Sequence, residues 1–363
     1  MFQKYFIALC LLVPCTNTFA ETVTKSVTST SANSLKNQLP MAEWGAINEL
    51  TITGPMGAAD ISFLSNVAKA TNNLKVLNMS GVTDLLEIEK GAFSGIKSLE
   101  SVSLPASLNT ISEKAFMDCT SLTTITFAEG LTTINDRAFC NDSLLTSITF
   151  PSTLGDLNVS ALDGCDNLQE IKVTPGNQVY SSISGVLYTM DNPTIIKYPV
   201  ARVDEEFTIP DGTTNIGDNA FANCKLLKSV EMPESVKSIG KNAFLNCKGF
   251  TNVLVGDGVA TIADFAFMGC ENMVAVALPR SLKTIGDGIF SRCCNITSIR
   301  CEADVPPTYS ALINNPFVTE DATICSINLA TCVLSIPAKS QTKYEEAKGW
   351  GTFANIEGFQ VGK

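Results

Sequence analysis

Cysteine is the residue type with the most obvious chemistry in this chain, because thirteen are present. Six of them share one position of a repeating pattern: Cys119, Cys165, Cys224, Cys247, Cys270 and Cys293. If the repeats stack, these side chains form a column, and strands about 5 Å apart would permit disulfide bridges. Packing alone also explains the column, since unpaired cysteine is among the most buried residue types. We expect buried free thiols in this cysteine column, with bridges as the alternative.

Metal binding is a weaker interpretation of the cysteines. One cysteine per repeat produces a ladder and not a tetrahedral cluster, and the C-x-x-C spacing is missing. At the third repeat Asp142 takes the column position, and Cys140 is displaced by two residues. Cys325 and Cys332 fall outside the column and could close a hairpin. The sequence therefore predicts no metal site and no cofactor.

Catalytic side chains are scarce. The chain contains no histidine, which excludes Ser-His and Cys-His nucleophile pairs, acid–base catalysis by histidine and histidine-containing zinc sites. The adjacent acids Glu205-Glu206 and Glu345-Glu346 could be offered as a glycosidase pair. Neighbouring residues point apart on a strand or helix, so they lack the facing geometry that this catalysis needs. A solvated charged surface explains these acids better, and we expect no enzymatic activity.

The elements that position these side chains repeat every 23 residues. An Ala-Phe pair marks each unit, at Ala92-Phe93, Ala115-Phe116, Ala138-Phe139, Ala220-Phe221, Ala243-Phe244 and Ala266-Phe267, with one member changed at Ala161-Leu162 and Ile289-Phe290. From Phe93 the steps are 23, 23, 23, 59, 23, 23 and 23 residues, so one coil carries 13 extra residues. Self-similarity at this fixed period is typical of a solenoid in the leucine-rich-repeat length class.

Each unit contains a strand with alternating sides. Leu122, Ile125 and Phe127 are expected to face inward, while Thr124 and Thr126 face outward. A second extended piece leads into a short helical or 3-10 turn that holds the Ala-Phe pair. The fold class is therefore an α/β-repeat, leucine-rich-repeat solenoid, right-handed, with about eleven parallel strands on one face and short turns on the other. Stacking places Phe on Phe and Leu on Leu in continuous columns.

At these residues the chain resembles the BspA-like leucine-rich-repeat proteins. The resemblance covers residues 47–356 and rests on the spacing I-x-x-x-A-F-x-x-C-x-x-L-x-x-[IV]. It implies a secreted or surface-exposed bacterial protein associated with adhesion to host proteins and to other cells. The G-V-L-Y…Y-P insertion of residues 185–199 also resembles a known variation of the family, and the C-terminal ending resembles the family's C-terminal closure.

The ends of the chain differ in composition from the repeats. Residues 1–20 read as a signal peptide, because a lysine precedes a short apolar run and a Thr-Phe-Ala cleavage triplet. A lipoprotein acceptor at Cys15 is the alternative. Residues 21–46 are expected to be a flexible lead and the start of an N-terminal cap, residues 47–302 the solenoid, and residues 303–363 a C-terminal cap closed by Trp350. Asp60 is predicted to be the N-cap of a helix over Ile61–Ala70.

The long coil, residues 174–210, reads as strand, turn and strand. Its hairpin brings together Tyr180, Tyr188 and Tyr198, and tyrosine is enriched at protein interfaces. The hairpin is expected to interrupt the stack without being needed to continue it, so we place the protein-binding site there. In the alternative, the three rings fold back to cover the hairpin's own strands.

The expected concave face carries two outward columns of residues. One is Ser101, Thr124, Ser147, Glu170, Glu206, Ser229, Asn252, Ala275 and Ser298, and the other is Ser103, Thr126, Thr149, Lys172, Thr208, Glu231, Leu254, Ala277 and Arg300. Most of these side chains are short and polar, and no aromatic ring is available to stack on a sugar. Ser and Thr are also ordinary strand formers that support each other across strands.

The charge balance limits the partners. With 25 basic and 36 acidic residues, the net charge of −11 disfavours nucleic acid and anionic membranes. No segment after the signal peptide of residues 1–20 is expected to span a membrane. The leading hypothesis is a secreted or cell-surface, adhesin-like protein that binds host or other-cell proteins. A carbohydrate-binding module beside polysaccharide-degrading enzymes is the alternative, and a carboxylate hydrolase is a third.

Overall fold

The protein is a solenoid of stacked coils in a computed structural model that describes residues 22–39, 41–309, 315–317 and 325–360. The predicted signal peptide, residues 1–20, and Cys15 lie outside the described residues. In chain order the strands are β1 (Val23–Thr28), β2 (Ile47–Pro55), β3 (Val76–Thr83), β4 (Glu87–Ile88), β5 (Ser101–Ser103), β6 (Thr110–Ile111), β7 (Thr124–Thr126), β8 (Thr133–Ile134), β9 (Ser147–Phe150), β10 (Asp156–Leu157), β11 (Glu170–Val173), β12 (Tyr180–Ile183), β13 (Val186–Thr189), β14 (Thr194–Lys197), β15 (Glu206–Thr208), β16 (Asn215–Ile216), β17 (Ser229–Glu231), β18 (Ser238–Ile239), β19 (Asn252–Leu254), β20 (Thr261–Ile262), β21 (Ala275–Leu278), β22 (Thr284–Ile285), β23 (Ser298–Cys301), β24 (Val333–Pro337) and β25 (Asn355–Phe359).

Two rows of strands run along the stack, and the predicted parallel pairing is confirmed. The first row, here called the strand face, contains the hydrogen-bonded groups β1-β2-β3-β5-β7, β9-β11, β15-β17 and β19-β21-β23-β24-β25. The second row contains β4-β6-β8-β10 and β14-β16-β18-β20-β22. The strand face is longer than expected, because β1 and β25 add strands at its two ends.

A column of aromatic rings fills the centre of the coils. Phe221, Phe244 and Phe267 are fully buried, and successive rings stack with centroids 5.0 and 5.1 Å apart. The backbone follows the same repeat, since the N–H of Phe244 donates to the carbonyl of Ala266 in the next coil at 2.7 Å. Each ring is therefore held by its neighbours and by the backbone of the following coil.

The Ala-Phe segments are turns in most coils and not the helical turns that we predicted. The residue before the pair and the residue two positions after it have positive φ, as at Lys114 (58°) and Asp118 (62°). A left-handed residue on each side prevents the single turn from growing into a helix. In one coil the corresponding first residue, Ser160, does not have a positive φ, and there a 3-10 helix forms over Val159–Leu162.

The flexible lead predicted for residues 21–46 is corrected by the structure, because Val23–Thr28 is a strand paired in parallel with β2. Helices α1 (Leu35–Gln38) and α2 (Ala58–Thr71) and a 3-10 helix (Met41–Ala46) complete this end. Asp60 is not the N-cap of α2 but its third residue. Its buried carboxylate accepts the backbone N–H of Gly57 at 3.1 Å and of Leu35 at 2.8 Å. The bond to Leu35 holds in place a segment that the sequence composition predicted to be flexible.

The extra residues of the long coil form an internal layer. Strands β12, β13 and β14 form an antiparallel sheet that joins the second row through β16. Alternate side chains of this layer enter two different hydrophobic clusters. Leu187 and Ile196 pack with the N-terminal half of the solenoid, whereas Val186, Tyr188 and Ile195 pack with the C-terminal half. The layer is therefore covered on both faces.

Tyr198 shows that this layer continues the stack. Its ring stacks on Phe221 with centroids 5.0 Å apart, and its N–H donates to the carbonyl of Ala220 at 2.7 Å. Tyr198 thus holds the Phe position of its coil, and Lys197 holds the Ala position. The buried Lys197 ammonium reaches Asp163 in the preceding coil at 3.1 Å. The expectation that the hairpin is dispensable for stacking is wrong.

The described C-terminal residues pack against the last coils. Helix α3 (Gln341–Glu346) and two 3-10 helices (Ala338–Ser340 and Trp350–Thr352) lie beside β24 and β25. Trp350 is 1% exposed, and its indole N–H donates to the carbonyl of Pro307 at 2.9 Å.

The aromatic column predicts a large stability loss on truncation. Phe244→Ala should lower the free energy of unfolding by about 3–5 kcal/mol, the usual cost of removing a core Phe ring. Urea denaturation measures this change. Leu226→Ala is the control, because Leu226 is 54% exposed and its loss should cost under about 0.5 kcal/mol. Equal stabilities for the two variants would contradict the burial of Phe244 in the aromatic column.

The internal layer predicts opposite effects for two changes at one residue. Tyr188 is 1% exposed, and its hydroxyl has no hydrogen-bond partner among the described residues. Tyr188→Phe should therefore leave stability unchanged or raise it, since it removes an unsatisfied polar group. Tyr188→Ala should cost about 3–5 kcal/mol. Thermal and urea unfolding test both variants, and a harmless Tyr188→Ala would show that the ring lies outside the core.

Candidate binding surface

The cysteine column consists of buried free thiols, as the sequence analysis expected. The Cys119 thiol donates to the carbonyl of Phe93 in the preceding coil at 3.2 Å. The same bond recurs at Cys165, Cys247, Cys270 and Cys293. Burial raises the pKa of the Cys119, Cys165 and Cys247 thiols well above the usual value. These thiols stay protonated and unreactive at neutral pH, so the column is a packing element.

The predicted pairing of Cys325 with Cys332 is wrong. Cys325 is bridged to Cys294, with the two Cα atoms 5.6 Å apart. The backbone explains this pairing, because the carbonyl of Cys325 accepts the N–H of Arg292 at 3.1 Å. Cys332 is fully buried in the core beside β24 and remains free. The bridge joins the last repeat to the C-terminal region.

Asp142 is a buried carboxyl group within the cysteine column. One carboxylate oxygen accepts the N–H of Cys119 at 2.9 Å, and the other has no partner among the described residues. Burial, together with the nearby Asp118 carboxylate, raises the pKa of Asp142 to about 9. The carboxyl group is therefore uncharged at neutral pH.

The three hairpin tyrosines do not form a contact surface. Tyr180, Tyr188 and Tyr198 are 9%, 1% and 2% exposed. Tyr180 accepts the N–H of Leu157 at 3.1 Å, and Tyr198 packs in the aromatic column. The structure contradicts their assignment as an exposed binding site, because alternate residues of this layer enter the two halves of the core.

The two acidic pairs lie on the surface and do not form the facing arrangement that glycosidase catalysis needs. Glu205 forms an ion pair with Lys228 at 2.7 Å, and Glu206 faces outward on β15. Glu345 accepts from Gln341 on the surface of α3, next to the exposed Glu346.

Within the described ranges, no group of three or more Cys, Asp or Glu side chains could hold a metal ion. In the same part of the chain, every helix is too short or too polar to cross a bilayer.

A cleft of about 560 Å³ opens on the strand face. It lies where β17 and β19 are neighbours but, among the described residues, do not hydrogen-bond to each other. The core residues Phe250 and Phe267 lie at the floor of the cleft and are 2% and 0% exposed. Leu254 stands at its edge and is 72% exposed. We call this site the β17–β19 cleft.

The walls of the β17–β19 cleft are apolar, and its rim is acidic. Its apolar lining consists of half-buried Val230 and Met232 and of buried Val253, Val255, Leu278 and Pro279. Acidic groups at the rim are Glu231, Asp257 and Glu302. Glu302 pairs with Arg300 at 2.9 Å, but within the described residues no basic side chain pairs with Glu231 or Asp257. The cleft therefore combines apolar contact area with uncompensated negative charge.

A second opening on the strand face is polar. It lies between β7 and β9, which are also unpaired with each other in the described part of the chain, and has a volume of about 320 Å³. Thr124, Thr126 and Thr149 line it together with Glu129. Its rim contains no exposed large apolar side chain comparable to Leu254.

Sequence reasoning missed the β17–β19 cleft, although two signals were present. Leu254 is a large apolar residue in an outward column that is mostly short and polar. The strand of its coil is followed by Val255-Gly256, where most other coils have proline after the strand. A Cβ atom at Gly256 would lie 2.7 Å from the Cβ of Met232, so glycine permits this close approach. However, the absence of hydrogen bonds between two neighbouring strands cannot be recognised from the sequence.

The fold and its strand face define a leucine-rich-repeat solenoid. A family model described as "BspA type Leucine rich repeat region" matches residues 66–184 and 204–315, with six copies. The chain therefore belongs to the BspA-type leucine-rich-repeat family.

Several solved structures share this fold. A leucine rich cell surface protein from Faecalibacterium prausnitzii is 24% identical, with 87% of this chain and 74% of that chain covered and a TM-score of 0.58. The pneumococcal vaccine antigen PcpA is 20% identical, with 87% and 80% covered and a TM-score of 0.64. A leucine-rich repeat protein from Eubacterium ventriosum is 15% identical, with 92% and 80% covered and a TM-score of 0.53. At these identities the similarity establishes the fold alone. No curated protein sequence matches the chain significantly.

The cysteine assignments predict a definite thiol count. Unfolded, unreduced protein without residues 1–20 should expose nine free thiols and, after reduction, eleven. Reaction with a thiol reagent in denaturant measures both numbers. A count of one or fewer before reduction would show that the column is bridged.

The buried Asp142 carboxyl predicts a pH-dependent stability difference. Its pKa is about 9 in the folded protein and about 4 in an unfolded chain. The favourable contribution of the protonated form is therefore complete below about pH 4 and is lost as the pH rises through about 9. Asp142→Asn removes this loss, so the variant should gain stability over the parent by up to about 1.4 kcal/mol per pH unit.

Urea unfolding at pH 5 and pH 8 tests this difference. Asp166→Asn is the matched control, because Asp166 is exposed in the following coil and its change should leave the pH profile unaltered. Parallel stability profiles for the parent and Asp142→Asn would contradict the uncharged assignment.

Proposed function

We propose that this protein is a non-enzymatic, adhesin-like interaction protein that binds a protein on a host or another cell through its strand face. Family membership supports the general role, since repeat solenoids use extended faces for binding. Export through a signal peptide at residues 1–20 is part of the proposal. The net charge of −11 favours protein over nucleic acid as the partner class.

The observation that carries the proposal is Leu254, exposed beside an apolar cleft on an otherwise polar face. Leu254 is 72% exposed, contributes nothing to the core of this chain and adjoins the apolar lining of the cleft. Apolar side chains clustered in a cleft and ringed by polar groups are the usual anatomy of a protein-binding hot spot. Sugar sites differ, because their platforms are exposed aromatic rings, and Phe250 is only 2% exposed.

Binding assays with the protein lacking residues 1–20 test this function. Immobilised host-matrix and mucosal proteins should retain it, whereas a glycan array should not and a polysaccharide panel should remain intact. Leu254→Thr should weaken protein binding by about tenfold or more, the scale of a hot-spot loss. Thr149→Val, at an outward position four coils earlier on the strand face, is the control and should bind normally. Retention on glycans alone would favour the carbohydrate-binding alternative and overturn the proposal.

A further inference from the structure

The chemistry of the β17–β19 cleft identifies the kind of segment that fits it. We infer that the cleft receives a protein segment with a bulky apolar side chain flanked by lysine or arginine. This inference rests on the proposed function and specifies the partner's chemistry. Its basis is the combination of apolar walls, acidic rim and open strand ladder at one place.

The volume and walls of the cleft select an apolar side chain. About 560 Å³ lies within the range of about 300–1,000 Å³ typical of binding pockets. The half-buried wall residues Val230 and Met232 offer no hydrogen-bonding side chains, so a polar group inserted there would lose its water without compensation. A Leu or Phe side chain would instead bury its area against these residues and against Leu254.

The rim selects positive charge beside that apolar group. Glu231 and Asp257 are exposed and, among the described residues, lack basic partners. A lysine or arginine on each side of the inserted residue would meet these carboxylates at the boundary between water and the apolar wall. An acidic segment would be repelled, so the rim discriminates between partners as well as attracting one.

The open ladder favours a peptide over a free amphiphilic cation. Strands β17 and β19 do not pair with each other within the described chain, so their facing edges are not joined in a common ladder. An extended segment that lies along this opening can pair its own backbone with a strand edge while its side chain enters the cleft. A small cation would leave those backbone positions to water.

A set of three fluorescent peptides tests the inference on the protein lacking residues 1–20. Their central sequences are Lys-Phe-Lys, Lys-Ser-Lys and Glu-Phe-Glu, each between Gly-Ser ends. Fluorescence anisotropy should show binding of the first peptide, with the other two weaker by about tenfold or more. Raising the salt concentration should weaken binding of the first peptide, because the charge contacts lie at a solvent-exposed rim.

Matched variants locate the binding. Leu254→Ser should reduce binding of the Lys-Phe-Lys peptide, and the double change Glu231→Gln with Asp257→Asn should abolish its preference over Glu-Phe-Glu. Glu346→Gln, an exposed acid on α3, is the charge control and should change neither result. Circular dichroism melts check that all variants fold.

The outcomes separate this inference from the proposed function. Equal binding of the three peptides, or no binding by any of them, overturns the inference. In that case, loss of binding to immobilised proteins in Leu254→Thr would still leave the proposed function standing. Selective peptide binding that survives Leu254→Ser also overturns the inference, because the segment would then bind elsewhere.

Discussion

The structure depends on one constraint: no coil of this chain can bury its apolar side without the next coil. Inward residues such as Phe221 and Phe244 are covered by the same position of the neighbouring coil, with ring centroids 5.0 Å apart. The backbone bond from Phe244 to Ala266 repeats this relation, as does the thiol bond from Cys247 to Phe221. Stability is therefore a sum of contacts between adjacent coils, and each irregularity must preserve them.

The long coil shows how an insertion satisfies that constraint. Its extra residues do not project from the stack, because Tyr198 still occupies the aromatic column and Lys197 the small-residue column. The added strands lie between two core clusters, and neighbouring residues such as Leu187 and Tyr188 enter opposite halves. A buried lysine at an alanine position is tolerated because its ammonium reaches the carboxylate of Asp163. The insertion is thus part of the scaffold, and the proposed binding site lies on the strand face instead.

The sequence predicts the structural features that recur in every 23-residue repeat. The inward placement of Phe116 and the free thiols of the cysteine column follow from repetition alone, since every coil has the same surroundings. Features that depend on one particular contact were missed. The strand Val23–Thr28 pairs with β2, Cys294 pairs with Cys325, and the β17–β19 cleft requires a gap between two strands. The prediction of an interface at the hairpin tyrosines was wrong. Side chains alternate between the two faces of a strand, and in this hairpin both faces are covered by the core, so the tyrosines are buried.

Hydrogen exchange of the long coil tests most directly whether the insertion is a layer of the core. If it is, amides of Val186–Thr189 and Thr194–Lys197 should exchange as slowly as those of the adjoining strand Glu170–Val173. Only the tip around Asp191, which is exposed, should exchange rapidly. If both hairpin strands instead exchange at the rate of that tip, the insertion is a mobile appendage and not a continuation of the stack.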